Sequence, residues 1–359
     1  MNIIKVKEVL KTVAEAFGPP GYEEEVRDIL RKYFSKMGEI IYDKLGSIVV
    51  KIKGKSEGPK ILFTAHMDEV GFLVKNITKE GFLKFLPLGG WWAPVVLGSR
   101  VIVKNSKGKK FIGVVGTTPP HQMKEEERKR IPQIDDLFID LGFFKDTDIK
   151  KKTGIQLGDP IVPYASYLDF GNGNLLCKAW DDREGCARLI MLGEELKNGD
   201  FSGTVYLAGT VQEEVGLRGA TTVAELIKPD IAFAFDVSLA SDTPGAKPSD
   251  HGEKLGGGPG IVIWDKTMVP NRILRDIVVK IAEENDIPYH FTPVPGGYDT
   301  GKIHLSNIGV PSLAVGIPTR YIHSSNSILN VDDVVNAVKL FKIFVEKVDQ
   351  TILKRILSF

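Results

Sequence analysis

The chain has 359 residues, which is enough for one large domain or two smaller ones with a substantial core. Its 47 lysines and arginines almost balance its 46 aspartates and glutamates, and a net charge of +1 argues against nucleic acid or an anionic membrane as a partner. No stretch is apolar enough to cross a bilayer, and the two cysteines, Cys177 and Cys186, do not indicate a disulfide framework. The N-terminus reads as an amphipathic helix and not as a signal peptide, so we expect a cytoplasmic protein.

The first 70 residues predict two helices followed by three strands. The opening helix leads into "GPPGYEEEVRDILRKYFSKMG", which reads as a turn and then a second helix with one apolar stripe. "EIIYDKLGSIVVKIKG" predicts two strands around a turn at Leu45–Gly46. "GPKILFTAH" is continuously apolar, a pattern typical of a strand covered on both faces.

The pattern changes between residues 71 and 167. Short β-rich pieces alternate with glycine turns, and no long helix is predicted. This pattern is typical of a small barrel or sandwich. The charge run "KEEERKR" within it is expected to be a solvated loop and not a binding patch.

From Leu175 onward, strands and helices alternate. The predicted elements are strand Leu175–Ala179, helix Arg183–Lys197, strand Thr204–Ala208, a helix near Thr221–Leu226, strand Ile231–Phe235, helix Asn271–Glu284, strand Pro311–Val315 and a closing helix Val334–Leu353. Such alternation predicts an α/β fold, with a mixed sheet that carries helices on both faces. We therefore expect one α/β domain, residues 1–70 and 168–359, interrupted by a small β-barrel-like domain at residues 71–167.

Carboxylate and imidazole side chains recur where the predicted α/β strands end. They are His66 and Asp68, Asp181 and Asp182, Glu213 and Glu214, Asp236, and His323. Ligands of open α/β sheets bind outside the carboxyl ends of the strands, so these side chains are expected to converge on one crevice. Each alone has an ordinary reading, such as a helix cap or a solvated turn, but five such accidents at successive strand ends are improbable.

This donor set suits a divalent metal such as zinc, cobalt or manganese. Two histidines with three or more carboxylates exceed what one catalytic zinc needs, and they suit a pair of metals sharing a carboxylate. Neighbouring residues that leave a strand point in alternate directions. One glutamate of the Glu213–Glu214 pair can therefore bind metal while the other serves as a general base.

The stretches "AHMDEVGF", "AWDDR", "TVQEEVGLRGA", "FDVS" and "RYIHSS" occur in this order. In them the chain resembles the dinuclear metallo-aminopeptidases that assemble into tetrahedral dodecamers, a family that includes glutamyl and leucyl aminopeptidases. The resemblance covers nearly the whole chain, including the insert. It implies a zinc-peptidase-like catalytic domain, peptide substrates, a homo-oligomer built from dimers, and an insert used for dimerisation.

The resemblance also implies roles for individual residues. Asp181 would bridge two metals, with His66 and Asp236 on one, Glu214 and His323 on the other, Glu213 as general base and Asp68 orienting His66. The Asp181–Asp182 peptide bond would be cis. We therefore predict a metal-dependent aminopeptidase that removes N-terminal residues from peptides.

Several points stay open on the sequence alone. A carboxypeptidase or deacylase could share the same metal site, and a glycoside hydrolase using two carboxylates is a more distant alternative. In "GGYDTG", Asp299 is a candidate for contact with the substrate amine. Trp91 and Trp92 could form a core pair or an interface anchor. "GGGPG" is expected to be a turn, since it lacks the Lys-Ser/Thr of a phosphate loop. Four histidines fit no ligand pattern: His121, His251, His290 and His304.

Overall fold

The structure is a computed structural model that describes residues 1–145, 147–246 and 253–358. The helices in this part of the chain are α1 (Ile3–Glu15), α2 (Glu24–Phe34), α3 (Ala93–Val96), α4 (Glu125–Lys129), α5 (Ile149–Thr153), α6 (Trp180–Leu196), α7 (Arg218–Ile227), α8 (Arg272–Glu284), α9 (Thr300–Ile303), α10 (Val331–Lys347) and α11 (Gln350–Ile356), with short 3-10 turns at Pro120–Gln122 and Ile134–Asp136.

The strands follow the same chain order. They are β1 (Glu39–Tyr42), β2 (Ile48–Lys53), β3 (Ser56–His66), β4 (Gly71–Ile77), β5 (Leu83–Leu88), β6 (Arg100–Lys104), β7 (Lys110–Gly116), β8 (Phe138–Asp140), β9 (Pro160–Pro163), β10 (Leu168–Asp169), β11 (Asn174–Cys177), β12 (Ser202–Thr210), β13 (Ile231–Leu239), β14 (Gly260–Asp265), β15 (His290–Val294), β16 (Ser312–Arg320) and β17 (Ser327–Asn330).

A large mixed sheet forms the body of the protein. Its strand order is β1-β2-β12-β3-β13-β16-β17-β11-β10, and β14 with β15 joins it beside β16. The central strands β12, β3, β13 and β16 are parallel to their neighbours in this group, whereas β2 and β17 pair with it in the antiparallel sense. The predicted mixed sheet is confirmed.

Helices cover both faces of this sheet. Successive side chains of a strand point to opposite faces, so each central strand packs against both helical layers. Phe63 of β3 packs against Phe233 with ring centroids 5.0 Å apart, and Phe341 of α10 meets Phe63 edge-on at 5.5 Å. Leu62, one residue earlier, belongs to a separate buried cluster with Val223 of α7. The expectation of two helical layers is therefore confirmed.

The chain between β3 and β10 forms a closed barrel with strand order β4-β5-β8-β7-β6-β9. This confirms the barrel-like insert of the predicted fold. Trp91 stacks on Phe72 of the barrel core at 4.7 Å and donates its indole N–H to the Gly71 carbonyl. Trp92 is exposed, so the two tryptophans do not form a pair. The "KEEERKR" run includes the short helix α4 where a loop was expected.

The predicted closing helix Val334–Leu353 is wrong, because two helices occupy this part of the chain. α10 ends at Lys347, and α11 begins after Asp349, whose side chain accepts the backbone N–H groups of Thr351 and Ile352. This aspartate caps a new helix and separates it from the old one. Strands β14 and β15 at the side of the sheet were not predicted. Within the described residues, no helix is both long and apolar enough to cross a membrane.

Candidate active site

The predicted site residues meet at the carboxyl ends of the parallel strands. His66 is the last residue of β3, Asp236 lies in β13, and His323 follows β16 by three residues. They line a cavity of about 570 Å³. The predicted metal ligands and general base in its lining are His66, Asp181, Glu213, Glu214, Asp236 and His323.

Asp181 lies between the two imidazoles. Its Oδ1 is 3.0 Å from His66 Nε2, and its Oδ2 is 3.2 Å from His323 Nε2. Glu214 is 3.5 Å from His323 Nε2. Glu213 and Asp236 are each 3.9 Å from His66 Nε2. One carboxylate thus contacts both histidines, and the other carboxylates divide between them.

The donor set fits divalent metal ions. His66, Glu213 and Asp236 present ligand atoms within 4.8 Å of one another, and so do His66, Asp181 and Glu214. Within the described part of the chain, the buried Oε1 of Glu214 has no hydrogen-bond partner. A buried, unpaired carboxylate oxygen is costly, and a bound cation would satisfy it.

The pKa values express the same crowding of charge. Burial raises the pKa of Glu214 to about 8, and the nearby charge of Asp181 adds to the rise. Burial alone would lower the pKa of His323, but the contacts with Asp181 and Glu214 raise it to about 10. Burial would raise the pKa of Asp181, but the two imidazoles hold it below its usual range. Buried acids crowded in this way favour a cation between them.

Each imidazole is oriented by a backbone carbonyl. His66 Nδ1 lies 3.1 Å from the carbonyl oxygen of Asp68, and His323 Nδ1 lies 2.7 Å from that of Gly90. Contacts of this kind fix the ring and leave Nε2 facing the site. Gly90 belongs to the barrel, in the loop after β5, so the insert contributes to the site.

The Asp68 carboxylate does more than the orienting role that was predicted for it. It is 3.7 Å from His66 Nδ1, farther away than the carbonyl of the same residue. Its two oxygens accept the backbone N–H groups of Glu213 at 3.0 Å and Glu214 at 3.1 Å. Through these two bonds, Asp68 holds the turn that carries both glutamates, and its side chain is fully buried.

The start of α6 carries further supports. The Asp181–Asp182 peptide bond is cis, as predicted. The Asp182 carboxylate accepts the backbone N–H groups of His66 at 3.1 Å and Gly185 at 3.0 Å, so it holds β3 and caps the helix. Arg188, one turn later, donates to the Asp236 carbonyl at 2.8 Å. Sequence reasoning missed Arg188, because nothing distinguishes it from an ordinary helical arginine.

The structure does not support a direct contact between Asp299 and a substrate amine. Asp299 is only 3% exposed and is not part of the cavity lining. Its Oδ2 accepts a hydrogen bond from the Thr210 hydroxyl at 2.6 Å. Its neighbours Gly297 and Tyr298 and the following Lys302 do line the cavity, so the "GGYDTG" stretch borders the site through other residues.

Of the remaining histidines, His251 lies outside the described residues. His304 Nδ1 lies 2.9 Å from the Thr300 carbonyl, and His290 is 3.5 Å from Glu253. His121 is exposed in the barrel. Among the residues that the structure describes, none of these three joins a group of potential metal ligands.

The model of the M42 glutamyl aminopeptidase family matches residues 46–340, which include every predicted metal ligand. The chain belongs to this family. The glutamyl aminopeptidase of Lactococcus lactis is 37% identical over 332 residues, covering 91% of this chain and 92% of the relative. A TET aminopeptidase from the marine sediment archaeon Thaumarchaeota archaeon SCGC AB-539-E09 is 40% identical with a TM-score of 0.95, covering 99% of this chain and 100% of that one.

Two further structures bear on assembly and on substrate. The TET1 peptidase of Pyrococcus horikoshii, which can assemble into a tetrahedron or a large octahedral shell, is 32% identical with a TM-score of 0.85, covering 96% of this chain and 100% of that one. A Thermotoga maritima protein named endoglucanase is 31% identical with a TM-score of 0.78, covering 97% of this chain and 99% of that one. Family, relatives and site together identify a metal-dependent aminopeptidase, as the motifs predicted.

Proposed function

We propose that the aminopeptidase works with a dinuclear centre of zinc, cobalt or manganese. Asp181 would be shared, His66 and Asp236 would hold one ion, and Glu214 and His323 the other. The observation that carries this proposal is the position of Asp181, whose two oxygens face different imidazoles at 3.0 and 3.2 Å. Titration of metal-depleted protein with cobalt(II) tests it. We expect two equivalents per chain, and saturation at one equivalent would contradict a dinuclear site.

In this proposal the protein residues position the substrate and move one proton. When bound, divalent ions polarise the scissile carbonyl and lower the pKa of the attacking water. Glu213, held by Asp68 at the cavity wall, takes the proton from that water and passes it to the leaving amine. His323 contacts Asp181, and Glu214 contacts His323, which leaves Glu213 free for this task.

We also propose a preference for acidic N-terminal residues. Lys302 lines the cavity, and its ammonium group has no hydrogen bond or ion pair to any described residue. Much of the remaining wall is apolar, with Leu217, Leu239, Val294 and Ile322. A cation there would pair with a substrate carboxylate. The glutamyl aminopeptidase of Lactococcus lactis supports the same preference.

Charge reversal at Lys302 tests this preference. We expect Lys302→Glu to lower the ratio of kcat/KM for N-terminal glutamate over N-terminal lysine by about tenfold or more. Lys302→Met removes the charge without reversing it, so its ratio should lie between those of Lys302→Glu and the wild type. An unchanged ratio in both variants would assign specificity elsewhere.

We propose that residues 71–167 serve as a dimerisation domain and that residues 1–70 and 168–359 form the catalytic domain. The barrel strands close on themselves, and Ile112 and Val114 of β7 expose apolar side chains on its outer surface. The Pyrococcus horikoshii TET1 peptidase can assemble into a tetrahedron or a large octahedral shell, which supports a large homo-oligomer here. We propose that it is a dodecamer built from such dimers. Light scattering should give the mass of a dodecamer, and a particle of single-chain mass would contradict it.

The cytoplasm is our proposed compartment. Both cysteines are free and buried in the structure, which suits a reducing environment.

The glycoside-hydrolase alternative can be tested directly, and one similar structure is named an endoglucanase. That chemistry needs two carboxylates across a sugar and gives no task to an imidazole. Here both His66 and His323 contact the central carboxylate. We expect no hydrolysis of a soluble cellulose derivative by protein that cleaves peptides, and cleavage of both would contradict this expectation.

A further inference from the structure

The turn that carries the two glutamates is anchored through its backbone N–H groups. It follows β12, and Gln212 within it adopts a left-handed conformation with φ of 56°. Three successive backbone N–H groups of this turn, those of Gln212, Glu213 and Glu214, donate to carboxylates of other segments. Asp68 accepts the last two. The first has a different acceptor, Glu23.

Glu23 is far away in the chain and close in space. Its Oε1 accepts the N–H of Gln212 at 3.2 Å and that of Gly21 at 2.7 Å. The residue immediately precedes α2, and its own carbonyl accepts the N–H of Arg27. Val26 and Leu30 of α2 are buried in the main core, so Glu23 sits on a fixed support.

Burying a carboxyl group at this position costs free energy. Glu23 is only 5% exposed. Burial raises its pKa to about 7, and the negative charge of Asp68 adds to the rise. An apolar residue would avoid this cost, but it could not accept the N–H of Gln212.

We propose that Glu23 is a positioning residue for catalysis, which fixes the turn bearing Glu213 and Glu214 through the N–H of Gln212. The inference rests on the proposed roles of these two glutamates. Glu23 does not line the cavity, so it acts through the turn and not on the substrate. Without this acceptor the Gln212 N–H would lose its partner, and the carboxylate support of the turn would come from Asp68, at its distal end.

The test compares two uncharged substitutions of similar size. Glu23→Gln keeps an oxygen acceptor, whereas Glu23→Met removes it. Glu24→Met is the matched control, because Glu24 is the exposed neighbour of Glu23. The readouts are kcat and KM of the metal-loaded enzyme on a peptide with a free N-terminus, the visible spectrum of the cobalt(II)-loaded protein, and the unfolding temperature.

We expect Glu23→Met to lower kcat by about 10- to 100-fold with little change in KM, and to alter the cobalt spectrum because Glu214 shifts. Glu23→Gln and Glu24→Met should stay within about threefold of the wild type. Equal kcat values for Glu23→Met and Glu23→Gln would overturn the inference. If Glu23→Met does not fold, Glu23→Asp replaces it in the test, because the shorter side chain keeps the charge but withdraws the acceptor from the Gln212 N–H. Wild-type activity of Glu23→Asp would then overturn the inference.

Glu213→Gln, measured in parallel, separates this inference from the proposed function. Full activity of Glu213→Gln would show that the proposed general base is wrong. An inactive Glu213→Gln beside a fully active Glu23→Met would show that only the role of Glu23 is wrong.

Discussion

At the scale of single residues, Asp68 shows how one buried carboxylate can set the direction of two others. Its oxygens accept the N–H groups of Glu213 and Glu214, so both glutamates leave a turn of fixed orientation. The motif "AHMDE" indicated a carboxylate that supports His66. It could not indicate these bonds, because their donors lie 145 and 146 residues further along the chain.

Asp68→Asn tests this support with a change of one atom. The amide keeps one acceptor oxygen and replaces the other with an NH₂ group, which faces one of the two N–H donors. We expect kcat to fall by about 10- to 100-fold, and the free energy of unfolding to fall by about 1–3 kcal/mol. Steady-state kinetics and denaturant unfolding measure the two effects.

Asp230→Asn is the control for Asp68→Asn. Asp230 also accepts a backbone N–H, that of Lys60 at 2.8 Å, but it is exposed and lies just before β13, at the end of the strand remote from the site. Its substitution should leave kcat unchanged. A wild-type kcat in Asp68→Asn would refute the proposed support.

At the scale of elements, the loop between β5 and α3 joins the barrel to the active site. The Gly90 carbonyl meets His323 Nδ1 at 2.7 Å. Gly89 has a φ of 83°, and a Cβ at this position would lie 2.6 Å from a methyl group of Val70 and 3.0 Å from Glu214 Oε2. The two glycines therefore allow an approach to the ligands that a side chain would block.

Gly89→Ala should impair the site beyond the cost of its backbone strain. We expect a loss of kcat of about tenfold or more and weaker binding of metal, because the new methyl group displaces Glu214. Gly98→Ala is matched in strain, with a φ of 80° and no atom within 4 Å of the added Cβ. Both variants carry a penalty of about 1–2 kcal/mol for a left-handed alanine. Equal activity of the two variants would contradict a role for the contact.

The "GGGPG" turn is held by the first turn of α10. The carboxylate of Asp333 accepts the N–H groups of Gly256 at 2.8 Å and Gly258 at 2.7 Å. These two glycine N–H groups are therefore hydrogen-bonded within the chain, which agrees with the prediction of a turn and not of a phosphate loop. Burial raises the pKa of Asp333 to about 6 from an ordinary value of 3.8.

This raised pKa gives a pH dependence of stability. The folded protein binds the Asp333 proton more tightly than the unfolded chain, so the contribution is complete below about pH 4 and is lost as the pH rises through about 6. Relative to Asp333→Asn, the wild type should gain about 2 kcal/mol of unfolding free energy as the pH falls from 7 to 4. Denaturant unfolding of both proteins at several pH values measures the difference. A difference that is constant with pH would contradict it.

At the scale of the whole molecule, the sequence predicted what is locally encoded. Continuous apolar strands followed by His66, Glu213 or Asp236 mark the central sheet and the end at which ligands collect. The same reasoning failed at the side of the sheet, where β15 contains Pro293 and is short. It also could not find the contacts of Glu23 with Gln212 and of His323 with Gly90, which join residues 189 and 233 positions apart.

The measurement that tests the central claim most directly is the hydrolysis of matched peptides with free and acetylated N-termini. Metal-depleted protein is assayed first, and zinc, cobalt or manganese is then restored, beside the Glu213→Gln variant. We predict that only free N-termini are trimmed, that activity returns with metal, and that Glu213→Gln binds metal but is slower by about 10²- to 10⁴-fold. Equal cleavage of acetylated peptides, activity that survives chelation, or an active Glu213→Gln would contradict an aminopeptidase that uses Glu213 as its base.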